Sequence, residues 1–540
     1  MQSSSNTSPI AILNEDLLLK IFLEITKDTL NLSRDKQRPI IAIRRCSQVC
    51  RHWRSIIVSS SSIWGRLIDL DLLTGQTTDD WMKEVVRRAG EALLWVYGEI
   101  GSYYNTQHRF LLTFLQDNWG RVELLVVNAH TSSNKTLALL EDHKATWSFL
   151  LKPAPRLRWF YFILRSYYYG YPSLGTESGP PLLTGPIFKD SAPLLTDFHI
   201  SSPSYLTFSI QAPWIPNLCA VKFSTKFTME EVLMALQRMP RLAELTVDIG
   251  PKTLIGWQGP GITLPRLRSL DLRGELCSAG TILQHITPST DCGIAVVELE
   301  HPKTYIPDAN YAEYAQYETA LAKYVVPCLS QHLPSAVVFN INYITTALWD
   351  VRDSVSDGRR SFHVSLHTPF LSSSLLMKEL GSCTYTSQIR KLIVRTNGPP
   401  IFDQLGLISI LTAFPSITTL STVDVIIRSL LKDSSITATV LPVLTTLKIS
   451  YQYVPKLRKE EEPHHRFLQF RRAIGRSLSV FEIIFIPSFG GTFYDMDYLE
   501  EHVGLVVKWG IEGEDTLSVG YRCGDGHPER LRFDIKSLLD

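Results

Sequence analysis

Three places in the sequence gather residue types that could do chemistry. Cys46 and Cys50 lie one helical turn apart, with His52 close by, and two thiols at that spacing could share a metal ion. On ideal helical geometry His52 projects about 160° around the axis from Cys46. A free cysteine otherwise packs as a small hydrophobe, so this group reads as packing or interface. Gly524-Asp525-Gly526 has two glycines of a dinucleotide-binding loop but lacks the third glycine and the strand–turn–helix context, and reads as a turn. Glu460-Glu461-Glu462-Pro463-His464-His465 sets an acidic run against two imidazoles, and it reads as the lead-in to a helix over His465–Ser477 rather than as a ligand set. No His-Glu-x-x-His, Gly-x-Ser-x-Gly or P-loop pattern occurs. The expectation is a chain with no catalytic residue, no metal and no cofactor.

The composition describes a folded chain rather than a disordered one. Hydrophobic residues make up 44% and charged residues 20% of 540 positions, the balance of a folded chain. Lys+Arg minus Asp+Glu is 54 − 53 = +1, so no global field draws in nucleic acid or an anionic membrane. The eight cysteines are scattered without framework spacing, Met1 to Ser8 carry no basic residue, and no apolar run reaches the roughly 18 residues a membrane helix requires. A soluble chain of the cytoplasm and/or nucleus is expected, with reduced thiols.

The elements that would position a binding surface begin after a disordered leader at residues 1–9. Asn14 is placed to cap a helix, with Glu15 and Asp16 in its first turn and Leu13 and Leu18 spaced as a hydrophobic staple. Leu17, Leu18, Ile21, Phe22 and Ile25 follow at helical steps and form one broad apolar face. After a polar connection from Thr26 to Arg38, Pro39 suits the first position of a second helix. Ile43, Cys46, Val49, Cys50, Trp53, Ile56 and Ile57 then run at helical spacing, and Ile63-Trp64 with Leu67, Ile68 and Leu70 forms a third cluster. Three short amphipathic segments carry more apolar surface than their own core can absorb.

Beyond about residue 80 helix and strand patterns alternate: a helix over Trp81–Ala89, a strand at Leu93–Tyr97, a helix over Phe110–Asn118 and a strand from Val122 to Val127. Internal repetition then dominates. A Pro-x-Leu-x-x-Φ-x-Φ unit, with Φ apolar, opens at Pro155, Pro193, Pro216, Pro240 and Pro265, and again at Pro415 and Pro442. Its leucines at 195, 218, 242 and 267 are 23, 24 and 25 residues apart, inside the period of about 20–29 residues of leucine-rich repeats. Thr228-Met229-Glu230-Glu231 is a capping box that opens a helix between two such strands. A strand–helix unit this short cannot bury its apolar face alone, so neighbouring units must stack. Two stretches break the rhythm, a Tyr/Gly/Pro-rich insertion at about 166–190 and a poorly periodic region at about 301–385, with a helix candidate at Ala309–Val326.

Residues 10–70 resemble the F-box family. Leu13, Asp16, Leu17, Leu18, Ile21 and Phe22 match the first part of the family pattern, Val49, Cys50, Arg51 and Trp53 match the second, and Ser62-Ile63-Trp64 echoes a third. Asn14 stands where the family has proline, and the Thr26–Arg38 connection is an insertion. Asp80-Trp81 through Gly90, with Trp119-Gly120-Arg121-Val122, is similar to the F-box/leucine-rich-repeat families of mushroom-forming fungi. The resemblance implies an α/β chain: a three-helix F-box-like module, a connecting segment at 71–130 and a degenerate leucine-rich-repeat solenoid over 131–540. It further implies the substrate receptor of a Skp/cullin/F-box-type E3 ubiquitin ligase. Leu13, Leu17, Leu18, Ile21, Phe22, Val49, Cys50 and Trp53 would then dock a Skp-family adaptor and through it a cullin. The repeats would bind a protein substrate.

Alternation along each strand points the residues between the apolar positions outward. This gives a row of Trp159 and Tyr161, Asp197 and His199, Lys222, Glu244 and Asp271. Its mixed chemistry suits a protein partner better than nucleic acid, which needs a basic stripe. The competing reading is a non-catalytic scaffold or sensor in which the helices only cap the solenoid, since terminal repeats need a cap.

Overall fold

Asn14 caps the first helix in the manner its side chain allows: Oδ1 accepts the Leu17 N–H at 2.9 Å and α1 runs from Glu15 to Ile25. The coordinates are a computed structural model, which describes residues 13–27, 38–74, 80–100, 113–132, 147–168, 171–172, 185–200, 208–225, 227–249, 257–274, 276–290, 292–297, 311–331, 336–341, 345–351, 362–367, 374–396, 404–451, 462–485, 493–511 and 520–534. The expected leader and most of the Thr26–Arg38 connection lie outside the described residues, as does most of the 166–190 insertion.

Pro39 opens α2 (Pro39–Cys46). The helical spacing from Ile43 to Ile57 does not produce one continuous helix. The Ser47 hydroxyl donates back to the Arg44 carbonyl, the backbone turns, and Cys50 becomes extended (φ −154°, ψ 168°) with its Sγ accepting the Trp53 N–H at 3.4 Å. A second helix, α3 (Arg51–Ser59), starts from that cap. Apolar periodicity survives such a break because the turn restarts the helix near the old phase. With α4 (Ser61–Gly65) the module is built of four short helices rather than three. Its centre is Trp64, whose indole N–H donates to the Ile57 carbonyl at 2.8 Å, with Trp81 edge-on at 6.0 Å and the Arg88 guanidinium 4.7 Å from the ring centre. A Cβ at Gly65 would lie 2.3 Å from the Leu93 carbonyl oxygen. Only glycine lets the last helix sit so close to the entry of the neighbouring strand.

The chain forms two compact units, residues 1–266 and 267–540. In the first, β1 (Ile68–Asp69), β2 (Leu94–Ile100), β3 (Val122–Ser132), β4 (Trp159–Tyr168), β5 (Asp197–Ile200), β6 (Ala220–Phe223) and β7 (Glu244–Ile249) pair side by side, parallel and in chain order. A short return strand, Tyr171–Pro172, hairpins off the end of β4. Helices lie between strands, among them Asp80–Ala89 and Met229–Leu236, the latter held by the Thr228–Glu231 capping box.

Each repeat motif does one job in this sheet. Its proline begins or lies in the turn, its leucine sits two residues before the strand, and its Φ positions point inward. Leu157, Leu195, Leu218 and Leu242 are all at most 1% exposed, as are Phe160, Phe162, Phe198, Val221 and Leu245. The strand entries are linked by a regular backbone staircase. The Arg158 carbonyl accepts from Thr196 and Asp197, the Thr196 carbonyl from Cys219 and Ala220, and the Cys219 carbonyl from Ala243 and Glu244, all at 2.6–3.0 Å. Beneath β4–β6 the interior is aromatic, with Phe160 stacked on Phe198 at 5.5 Å and Trp214 against Phe198 at 4.9 Å.

The second unit repeats the plan with one change. The strands that build most of its main sheet are β8 (Ser269–Gly274), β9 (Gly293–Val297), β10 (Ala336–Ile341), β11 (Thr345–Val351), β12 (Phe362–His367), β13 (Lys391–Thr396), β14 (Thr419–Thr422), β15 (Thr446–Tyr451), β16 (Val480–Phe485) and β17 (Val506–Ile511). From β13 to β17 the strands again run parallel in chain order, with the same staircase from Arg390 to Thr418, Thr445 and Ser479. The poorly periodic region is where the order inverts. β9 pairs with β12, β12 with β11 and β11 with β10, the last two antiparallel, and β10 then pairs parallel with β13. A three-stranded meander thus continues the sheet in reverse, after a long helix at Tyr311–Gln331. The chain is a mixed α/β protein with large parallel sheets. Among the described residues no helix is long and apolar enough to cross a membrane.

Candidate interaction surfaces

The eight expected docking residues separate into three groups, buried, half-buried and exposed. Leu18 and Phe22 are buried at 1% and 0%, and Phe22 meets Trp53 edge-on at 5.3 Å, so these side chains are core. Trp53 is half-buried by that contact, and Leu13 is half-buried beside the cap. Leu17 and Ile21, four residues apart on the neighbouring stripe of α1, stand 45% and 43% exposed, and Val49 is 64% exposed in the α2–α3 turn beside exposed Cys50. Ile41 and Val58 add further exposed apolar surface on α2 and α3. The apolar face read as one in sequence is therefore two stripes, one turned into the module and one turned out. Sequence periodicity could not divide them, because residues i and i+1 on a broad helical stripe differ by only about 100°.

The sheet face of the first unit carries the second surface. Register places Trp159, Asp197, Ala220 and Glu244 in one row across β4–β7, and Tyr161, His199, Lys222 and Thr246 in the next. The six expected residues of this unit are thus brought together. Asp271 lies in the second unit, where its carboxylate pairs with Arg273 on the same strand. None of the row is fully open: Trp159, Tyr161, Asp197, His199, Lys222 and Glu244 are all half-buried. The His199 imidazole lies flat on the Tyr161 ring, centroids 4.1 Å apart and 9° from parallel. Burial pushes His199 down to about 4, with the Lys222 ammonium adding to the effect, so the imidazole is neutral at neutral pH. Lys222 is itself bound to Asp248 at 2.7 Å. Burial raises the Asp197 carboxyl above its ordinary range, with nearby Glu244 contributing, although Thr196 donates to it at 2.6 Å.

The row extends further than the sequence indicated. Trp95 and Tyr97 on β2 and Leu124 and Val126 on β3 share the face, packed against Trp159 and Tyr161. Trp95 meets Trp159 edge-on at 5.8 Å and carries the Arg66 guanidinium 4.4 Å from its ring centre. Its indole N–H donates to Glu123 at 2.8 Å. Glu123 is the extra residue at a register slip between β2 and β3, so a bulge aims its carboxylate at this face, where Arg158 also pairs with it. No Pro-x-Leu opener precedes these strands. Both are legible as strands, at Leu93–Tyr97 and Val122–Val127, but not as part of this row.

Cys46 is half-buried and Cys50 is exposed and caps α3; neither belongs to a metal-capable group among the described residues. The Gly524-Asp525-Gly526 turn is a turn in the structure, with both glycines at positive φ. No protein-family model matches the chain, and no curated protein matches it.

Proposed function

We propose that this chain is the substrate-receptor subunit of a Skp/cullin/F-box-type E3 ubiquitin ligase, working in the cytoplasm or nucleus. The observation that carries the reading is the exposure of Leu17 and Ile21 on α1, and of Val49 in the α2–α3 turn, on a module that has already filled its own core with Leu18, Phe22, Ile43 and Ile57. Exposed apolar side chains grouped on so small a unit favour a partner, and their positions coincide with the F-box pattern. The regular strand entries support reading the rest as a leucine-rich-repeat solenoid whose sheet faces hold a protein substrate. The first unit's face offers aromatic and imidazole planes bordered by the Asp197 and Glu244 carboxylates. Such a row fits a protein segment bearing aromatic or basic side chains. In this role the chain performs no bond-making step; it supplies proximity between substrate and the ligase's other subunits.

A scaffold or sensor is the second reading, and one observation favours it. The helices sit tightly against the start of the array through Gly65 at Leu93, Trp64 on Trp81 of the helix Asp80–Ala89 and Arg66 on Trp95, as a terminal cap would. A pull-down of the full chain with purified Skp-family adaptor, followed by reconstituted ubiquitination of captured partners, separates the two. Adaptor capture by the wild-type chain and its loss in Leu17→Asp/Ile21→Asp supports the receptor. Stable partner complexes with no adaptor capture and no turnover support the scaffold.

A further inference from the structure

In the second unit, two buried histidines and a carboxylate converge from separate elements. His465 lies on the helix Pro463–Ala473, and Glu501 and His502 lie at the end of the 3-10 turn Asp497–Glu501. Glu501 Oε1 is 3.6 Å from His465 Nε2 and 3.5 Å from His502 Nε2, and the three ligand atoms all lie within 4.8 Å of one another. These separations are too long for good hydrogen bonds, which fall at about 2.7–3.2 Å. They match the edge of a tetrahedron around a metal with ligand bonds of about 2.0–2.2 Å, which is about 3.3–3.6 Å.

The second observation is His502 itself. Its side chain is 7% exposed, yet Nε2 makes no hydrogen bond and points at the Glu501 carboxylate. A buried acceptor nitrogen without a donor is costly and is the state in which imidazole binds a metal.

Gln469, four residues after His465 on the same helix face, completes the group. Its amide Nε2 lies 2.9 Å from His465 Nε2 and 3.1 Å from Glu501 Oε1. A half-turn of that amide exchanges the donor for its carbonyl oxygen and offers a fourth ligand.

We propose that His465, Glu501 and His502 form a binding site for a divalent transition-metal ion of the zinc type. Two imidazoles, a carboxylate and an amide oxygen are a donor set for zinc rather than for magnesium or calcium, which take oxygen alone. The ion would tie the 3-10 turn to the helix. This assignment is independent of adaptor docking, since it uses other residues and another readout.

Full-length protein stripped with a chelator and titrated with Zn2+, read by calorimetry and by the thermal midpoint, tests it. The expected result is one equivalent bound, a raised midpoint and, with Co2+ as probe, the visible absorption of a four-coordinate site. Glu501→Gln, at a half-exposed position where folding is safe, should weaken binding about tenfold or more, and His502→Ala roughly a hundredfold. Asp424→Asn, in the adjacent Asp424/Glu462/His464 group, should leave it unchanged. The proposal is overturned if the wild-type chain takes up no Zn2+, which would make Gln469 a simple amide bridge, or if Glu501→Gln binds as the wild type does. It is equally overturned if Asp424→Asn removes the binding.

Discussion

The helical module and the strand array treat the same residue type in opposite ways. Along the strands every repeat leucine is sealed: Leu157, Leu195, Leu218 and Leu242 are at most 1% exposed. In the module Leu17, Ile21 and Val49 stand at 45%, 43% and 64%. A chain able to bury its leucines so completely over one region does not leave them out for lack of a core. The module's exposed apolar side chains are thus a property of its surface, and this contrast with the sealed repeat leucines supports the docking role proposed for residues 13–64.

Substitutions can break or sharpen the contrast. The largest effect is expected for Phe22→Ala, which removes a fully buried ring from against Trp53 and should cost about 3–5 kcal/mol, measured by chemical denaturation followed by tryptophan fluorescence. Leu218→Ala should cost about 2–5 kcal/mol in the same experiment. Leu17→Ala, one residue from buried Leu18, should stay within about 0.5 kcal/mol of the wild type. A large loss there would mean that Leu17 is core after all.

The sheet face gives a pH test. His199 is held at about 4 in the folded chain against an ordinary value near 6.5. Above about pH 6.5 the imidazole is neutral both folded and unfolded. As the pH falls from there toward 4, the unfolded chain takes up a proton that the folded chain refuses, so stability declines across that window. His199→Phe, which keeps a ring on Tyr161, should flatten this part of the stability–pH curve. An unchanged slope would place the titration elsewhere. A small effect is expected at the capping box, where Thr228→Ala should cost about 1 kcal/mol.

How much could be read beforehand divides along physical lines. Local devices were legible: the Asn14 cap, Pro39 at a helix start, the Thr228 box and each Pro-x-Leu strand entry act through neighbours a few residues away. The 23-, 24- and 25-residue steps between leucines reappear as the steps between Asp197, Ala220, Glu244 and Ser269, where the strands begin. What failed to show depended on distant partners or on one backbone choice. The meander at β10–β12 carries no opener motif, so the sequence marked the region only as a loss of rhythm and not as a reversed strand order. The break between α2 and α3 hangs on the Cys50 cap, which apolar spacing does not register. The inner and outer stripes of α1 differ only in what packs on them. His464 and His465 read as part of an acidic lead-in, whereas their neighbours in space are Asp424, Tyr498, Glu501 and His502, contributed from 34 to 40 residues away in the chain.

The central claim is that the outward stripe of the module is an adaptor dock. Calorimetric titration of the full chain with purified Skp-family adaptor tests it most directly, comparing wild type with Leu17→Asp/Ile21→Asp at matched unfolding midpoints. The account predicts a saturable complex for the wild type and an affinity lower by about a hundredfold or more for the double variant. Equal binding by both proteins, or binding by neither, would contradict it.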